Sequence, residues 1–284
     1  MIPASFDYES PRELNEVLAL LASREDAKLL AGGHSLLPAM KLRLASPALL
    51  VDLSRVTGLS YIKEDGGHVR IGAMTTHAEV AASTLLLKSS PLLQQAAREI
   101  GDLQVRNRGT IGGSLAHADP SADYPAAILA LDAEVIAMST RGEHIIPARD
   151  FFTGLFSTAL AADEVITEVR VPVTAPAATC YKKFAHPASG MAVVGVAVLV
   201  KMRGTTIESA AVGMTGVAQN AYRAKAVEKA LAGQPASAIP SACDFAADGV
   251  DVLGDYFASS EYRSHLARVY TRRALQECVA PRKK

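Results

Sequence analysis

Cysteine is scarce in this chain: Cys180, Cys243 and Cys278 are scattered, and none stands in CxxC spacing. That spacing argues against a disulfide framework. An iron–sulfur cluster ordinarily takes about four cysteine ligands, so none is expected within this chain. The seven histidines are dispersed, without HExxH or Cys/His zinc spacing, and no metal site is expected. Charge of either sign is not in excess. Lys+Arg and Asp+Glu both number 29, for a net charge of zero. That balance gives no reason to expect a nucleic-acid or anionic-membrane partner. The basic run Arg282-Lys283-Lys284 is too short for a polybasic tail and reads as a solvated terminus. Long apolar runs are also missing: the longest, Met191 to Val200, is too short to span a bilayer. Met1-Ile2-Pro3-Ala4-Ser5 lacks the basic-then-apolar pattern of a signal peptide. The expectation is a soluble cytoplasmic protein.

What is present is apolar content of 49% in 284 residues, ample for a core in one large domain or several smaller ones. Two glycine pairs stand out. Ala31-Gly32-Gly33-His34-Ser35 and Thr110-Ile111-Gly112-Gly113-Ser114 each set two glycines beside a hydroxyl residue in apolar surroundings. Glycine lets a backbone bend tightly and approach a ligand with no Cβ in the way. Successive free N–H groups in such a bend form a concavity for anions, above all phosphate. Two bends of this kind could clamp a diphosphate, although a Gly-Gly pair is also the mark of an ordinary turn.

Along the chain, Ser10 as N-cap, Pro11 at the first position and Glu13 predict a helix start, with Leu14, Val17, Leu18 and Leu21 on its apolar face. Strands are predicted over 28–31 and 48–53 around a helix over 36–44, making residues 1–54 a β-loop-α-β unit. Asp65-Gly66-Gly67 predicts a hairpin. Ser90-Pro91 opens a helix closed by Gly101, and Ser121 or Asp123 opens another through Leu131. A second hairpin over 133–147 and a strand over 165–171 complete residues 55–173. Thr174 to Ala178 has linker composition. Beyond it come three strands (179–185, 191–202, 206–217) and then helices (221–231, 238–253, 260–278). Strands followed by helices predict a separate α+β domain over 174–284.

Three stretches, AGGHSLLPAMKLRLASP from Ala31, QVRNRGTIGGSLAHADPSADYPAAILALDAEV from Gln104 and DEVITEVRVP from Asp163, resemble the FAD-binding medium subunit of the molybdenum hydroxylases, the group of aerobic carbon monoxide dehydrogenase and xanthine dehydrogenase. The likeness is colinear over nearly the whole chain. It implies an α+β fold with a two-part FAD-binding domain of the vanillyl-alcohol-oxidase/PCMH type and a smaller C-terminal domain. It further implies that Ala31, Gly32, Gly33, His34, Ser35, Leu36 and Leu37 wrap the pyrophosphate and ribityl chain of FAD, with Thr110, Ile111, Gly112, Gly113 and Ser114 as the second loop. Asp123 corresponds to an acidic residue near the flavin, and Ile100 and Ile166 to apolar residues lining the ring. By periodicity alone those two isoleucines belong to a core. Tyr181-Lys182-Lys183 opens the C-terminal domain, where a family lysine faces the flavin; the sequence leaves Lys182 and Lys183 as alternatives. Unaided, both lysines read as solvated charges. The chain departs from its relatives at Ser114, where Asn or Asp is common, and at His186 and Gly190, where Arg and an acidic residue are common.

The function so implied is electron relay without acid–base catalytic residues. A small partner with two 2Fe–2S clusters delivers electrons, and a large partner holds the molybdenum cofactor, the whole forming a dimer of heterotrimers. A freestanding FAD-dependent reductase or oxidase on the same scaffold, or a non-catalytic FAD-binding assembly protein, are the rival readings. A branched side chain at Gly33 or Gly112 is expected to cost flavin binding while sparing the fold.

Overall fold

The computed structural model describes residues 1–280, so the terminal basic run Arg282–Lys284 lies outside the described residues. Three sheets succeed one another along the chain. The first is parallel, in the order β1 (Asp7–Glu9), β3 (Leu49–Asp52), β2 (Ala27–Leu30), with helix α1 (Leu14–Ser23) packed on it. Strand β1, three exposed residues at the sheet edge, carries no apolar alternation and was not foreseen. Helix α1 begins at Leu14, later than expected. Its N-cap is Glu13, and the Glu16 carboxylate accepts from the backbone N–H of Arg12 at 3.1 Å. The capping box therefore closes one turn beyond Ser10. The short helix α2 (Leu36–Lys41) follows the first glycine bend.

The second sheet is antiparallel in the order β4 (Ile62–Asp65), β5 (His68–Gly72), β10 (Val165–Pro172), β6 (Glu134–Ser139), β7 (Gly142–Pro147). Alternate residues of these strands, among them Val69, Ile71, Val135, Ala137 and Val169, join the main core. Between β5 and β6 come α3 (His77–Ala82), α4 (Thr84–Ser89), α5 (Pro91–Arg98), α6 (Leu103–Arg106), α7 (Ile111–His117) and α8 (Tyr124–Ala130), all but α6 contributing buried residues to that core. Proline at the first position of α5 fits because that residue needs no N–H partner in a helix. A four-residue helix, α9 (Ala148–Phe151), leads into the small ribbon β8 (Phe152–Gly154) and β9 (Ser157–Thr158).

The third sheet runs β11 (Ala178–Ala185), β12 (Ala192–Arg203), β13 (Thr206–Thr215), β14 (Tyr222–Arg223), with β15 (Gln234–Pro235) also on β13. It is covered on both faces. Ala197, Leu199 and Ala211 join the core containing α5 and α8, whereas Val196, Val198, Val200 and Val212 face α10 (Lys225–Leu231) and α12 (Ser260–Val279). A strand buried on both faces is apolar throughout, which accounts for the run ending at Val200. The contact with α8 is close: a Cβ at Gly213 would lie 2.0 Å from the Ala126 carbonyl oxygen.

Two predicted helices are corrected here. The first begins at Lys225, not 221, because Tyr222 and Arg223 pair with Met214 and Gly213 of β13. The second, expected over 238–253, is one turn, α11 (Ile239–Ala242), followed by a 3₁₀ turn over Cys243–Phe245. Gly249 has φ +77, a left-handed backbone conformation through which an α-helix cannot continue. No helix among the described residues is long and apolar enough to cross a membrane.

Candidate functional site

The two glycine segments, nearly eighty positions apart, come together where β2 ends and α7 begins. A Cβ on Gly32 would lie 2.3 Å from the Arg108 carbonyl oxygen and 2.7 Å from the Gly109 Cα. Only a residue without a side chain permits that approach. Gly113 also faces the first segment, at van der Waals distance: its absent Cβ would lie 3.4 Å from the Ala31 Cβ.

The first segment is a bend with open amides. Strand β2 delivers Ala31 and Gly32, Gly33 takes φ +76, and α2 starts at Leu36. Leu37 returns beneath the bend, its N–H donating to the Gly33 carbonyl at 3.1 Å. His34 Nδ1–H donates to the Gly32 carbonyl at 3.0 Å. Among the described residues, the N–H groups of Gly33, His34 and Ser35 have no protein acceptor. An αL residue followed by free amides is an anion-binding arrangement.

The second segment differs from expectation. Thr110 to Ser114 is not a loop: Thr110 is the N-cap of α7, and its Oγ1 accepts from Gly113 N–H at 3.1 Å. Ile111 N–H donates to Thr75 O, and Gly112 N–H to Ala73 O. These amides are satisfied within the protein, so no second cradle of free amides exists. Gly112 is a packing residue, because its Cβ would lie 2.6 Å from the Ala73 Cβ and 2.8 Å from the Ala73 carbonyl oxygen. What the segment presents is the bare Gly113 backbone and the Ser114 hydroxyl, both partly exposed.

Beneath this junction lies His77, which sequence reasoning missed. Its backbone N–H donates to Gly109 O at 2.9 Å, and its ring occupies the space a Cβ on Gly109 would need, with Nε2 2.5 Å away. Burial, then the charges of His34 and Arg106, push its pKa down to about 4. His77 is therefore neutral at pH 7. Its ring meets Tyr124 edge-on at 5.3 Å. Thr76 and Glu79 close a capping box at the start of α3, and the burial of the histidine between them follows from packing.

Of the remaining predicted residues, Ile100, Asp123 and Lys183 gather at the end of α5, whereas Ile166 and Lys182 do not. Ile100 is half-buried against the main core. Ile166 is 5% exposed on β10; its neighbour Thr167 accepts the Ala73 N–H at 3.0 Å, two backbone hydrogen bonds from Gly112. Asp123, the N-cap position of α8, is 3% exposed and accepts from the Tyr181 hydroxyl at 2.6 Å and from Lys183 Nζ at 2.9 Å. Strand alternation separates the two lysines. Lys183 turns to Asp123 with a side chain 2% exposed, whereas Lys182 turns to the opposite face and pairs with Glu277 of α12 at 2.6 Å. The solvated reading of Lys183 is thus corrected, and Lys182 is away from the other site residues. Burial raises the Asp123 pKa to about 6, against the lowering effects of Lys183 and the Tyr181 hydroxyl. Tyr181 was also missed as a site residue; Gly195 makes room for its hydroxyl, which would lie 2.4 Å from a Cβ there.

An anion-binding bend and a buried ion pair mark a site for an anionic ligand, and the comparisons specify it. Residues 4–174 match the FAD binding domain in molybdopterin dehydrogenase, and residues 179–278 match the CO dehydrogenase flavoprotein C-terminal domain. The chain belongs to the FAD-binding medium subunits of the molybdenum hydroxylases. Its cofactor is FAD, and it is the flavin subunit of an oxidoreductase. Particular relatives include the carbon monoxide dehydrogenase medium chain of Hydrogenophaga pseudoflava, 39% identical with 99% of each chain covered. The glyceraldehyde dehydrogenase medium chain of Sulfolobus acidocaldarius is 35% identical, with 98% of this chain and 99% of that one covered. The solved carbon monoxide dehydrogenase of H. pseudoflava superposes with a TM-score of 0.95 at 40% identity, covering 98% of each chain.

Proposed function

We propose that this chain relays electrons, taking them from the 2Fe–2S clusters of a small partner subunit and passing them to an external acceptor. When bound, FAD supplies the redox chemistry, accepting and releasing the electrons. The chain's own residues bind and orient it. The observation that carries the reading is the close approach of Gly32 to Arg108 and Gly109, which sets the free amides of Gly33, His34 and Ser35 beside Gly113 and Ser114. A diphosphate fits that chemistry, because amides and a hydroxyl donate while a bare backbone leaves room. Ala31, Leu36 and Leu37 shape the bend, and Thr110, Ile111 and Gly112 hold the second segment in place. Ile100 and Ile166 form apolar walls, and Lys183 with Asp123 places a buried ion pair at the ring end. Lys182 has no part in the site.

No acid–base residue is required in this chain. The division into residues 1–54, 55–173 and 174–284 is supported by one principal sheet in each. Relatives at similar identity are named for carbon monoxide, glyceraldehyde and nicotine. Substrate choice therefore belongs to another subunit, the large partner holding the molybdenum cofactor. The assembly is a dimer of heterotrimers in the cytoplasm.

The test is to purify the complex and denature it. About one FAD per chain is expected, and the flavin absorbance in the native complex should bleach with substrate and recover with an electron acceptor. A complex without flavin, or a flavin that substrate never bleaches, refutes the relay.

A further inference from the structure

The end of α5 carries a cap that the roles assigned so far leave unused. The last carbonyls of a helix lack partners within it and carry partial negative charge. Here four consecutive carbonyls, from Arg98 to Gly101, are all taken by side-chain cations. Arg106 Nη1 donates to Ile100 O at 2.7 Å, to Gly101 O at 2.9 Å and to Arg98 O at 3.4 Å. Lys183 Nζ takes the fourth, Glu99 O, at 2.8 Å. One guanidinium nitrogen, with two hydrogens for three acceptors, thus gathers the turn around itself. Gly101 has φ +46, and a Cβ there would lie 2.9 Å from the Val105 Cβ, so the turn is folded tightly onto α6.

The covalent arrangement gives this cap a consequence. Arg106 lies just before Arg108 and Gly109, whose backbone receives Gly32, and four residues before the α7 N-cap, Thr110. A single short segment therefore sets both the diphosphate bend and the height of Ile100. We propose that Arg106 is a positioning residue for the flavin, fixing Ile100 and the Gly101 turn as one wall of the ring site without touching the cofactor. The proposal rests on the reading of Ile100 as a ring contact. It is distinct from the role of Lys183, which reaches the same turn from the C-terminal domain and brings Asp123 with it.

The experiment compares wild type with Arg106→Met, which keeps an apolar stem and removes every donor, and with Arg106→Lys, which returns a cation one bond shorter. Three readouts are taken on the whole complex: hydrogen exchange across residues 99–103 in FAD-loaded and FAD-stripped protein, FAD affinity, and the visible circular dichroism of the flavin. Arg106→Met should speed exchange across 99–103 in both forms. It should also weaken FAD on the order of tenfold, the scale of losing a charge-assisted hydrogen bond, and alter the flavin dichroism. Arg106→Lys should move all three in the same direction by a smaller factor. Faster exchange with unchanged affinity and unchanged dichroism makes Arg106 a helix cap alone and overturns the proposal, as does unchanged exchange. If Arg106→Met does not fold, Arg106→Lys decides by the same criteria. A wild-type complex devoid of flavin defeats the flavin reading itself, a result separable from both.

Discussion

Lys183→Met provides a test whose size depends on pH. The substitution keeps a side chain of comparable length and deletes the ammonium that lies 2.9 Å from the Asp123 carboxylate, in a pair whose side chains are 2% and 4% exposed. Burial already raises the Asp123 pKa from 3.8 to about 6 with the lysine present. A raised carboxyl pKa means that this group's favourable contribution is fully present below about pH 3.8 and is lost as pH climbs through 6. The difference, 6 − 3.8 = 2.2, corresponds to about 3 kcal/mol. Without Lys183 the carboxyl pKa rises further. The cost of the substitution then grows by about 1.4 kcal/mol per pH unit above 6, until the variant's own pKa is reached. Between pH 5 and pH 8 the extra cost reaches at most about 3 kcal/mol, the low end of the roughly 3–5 kcal/mol for stranding one member of a buried pair. For 284 residues the unfolding entropy is about 0.6 kcal/mol per kelvin, so the melting-temperature gap between wild type and variant should widen over that range, by at most roughly 5 °C. Thermal melts of the FAD-loaded protein at the two pH values measure this. A gap that is equal at both, or larger at pH 5, refutes the claim that Lys183 compensates a buried charge.

The two glycines singled out in the sequence should behave differently from one another. Gly112→Val drives a side chain into Ala73 and should cost about 1–3 kcal/mol or more of stability, read as a fall in melting temperature even in FAD-free protein; an unchanged melt would contradict the packing role. Gly33→Ala meets the flexible Leu37 and Leu30 side chains but must hold φ +76, a strain of about 1–2 kcal/mol. Calorimetric titration of the FAD-stripped protein should show weaker FAD binding out of proportion to a small melting shift. Unaltered affinity would remove the 31–37 bend from the cofactor site.

The sequence alone was enough to identify the family and its cofactor, because the colinear glycine and apolar motifs are local patterns. Apolar periodicity placed α5, and the run from Met191 read as a strand, but its cover on both faces is decided by packing. Decisions that depended on distant partners were not legible. Whether Gly112 and Gly113 form a loop or a helix start is settled by Ala73 and Thr75, whose carbonyls accept from that turn. Which lysine enters the site depends on which face of β11 meets Asp123, sixty positions earlier. The roles of His77, Tyr181 and Arg106 escaped for the same reason: burial and hydrogen-bond partnership are properties of packing. Local turn and helix chemistry needs only neighbours in the chain, whereas a buried ion pair, a carbonyl cap or a missing Cβ acquires meaning when separate elements come together.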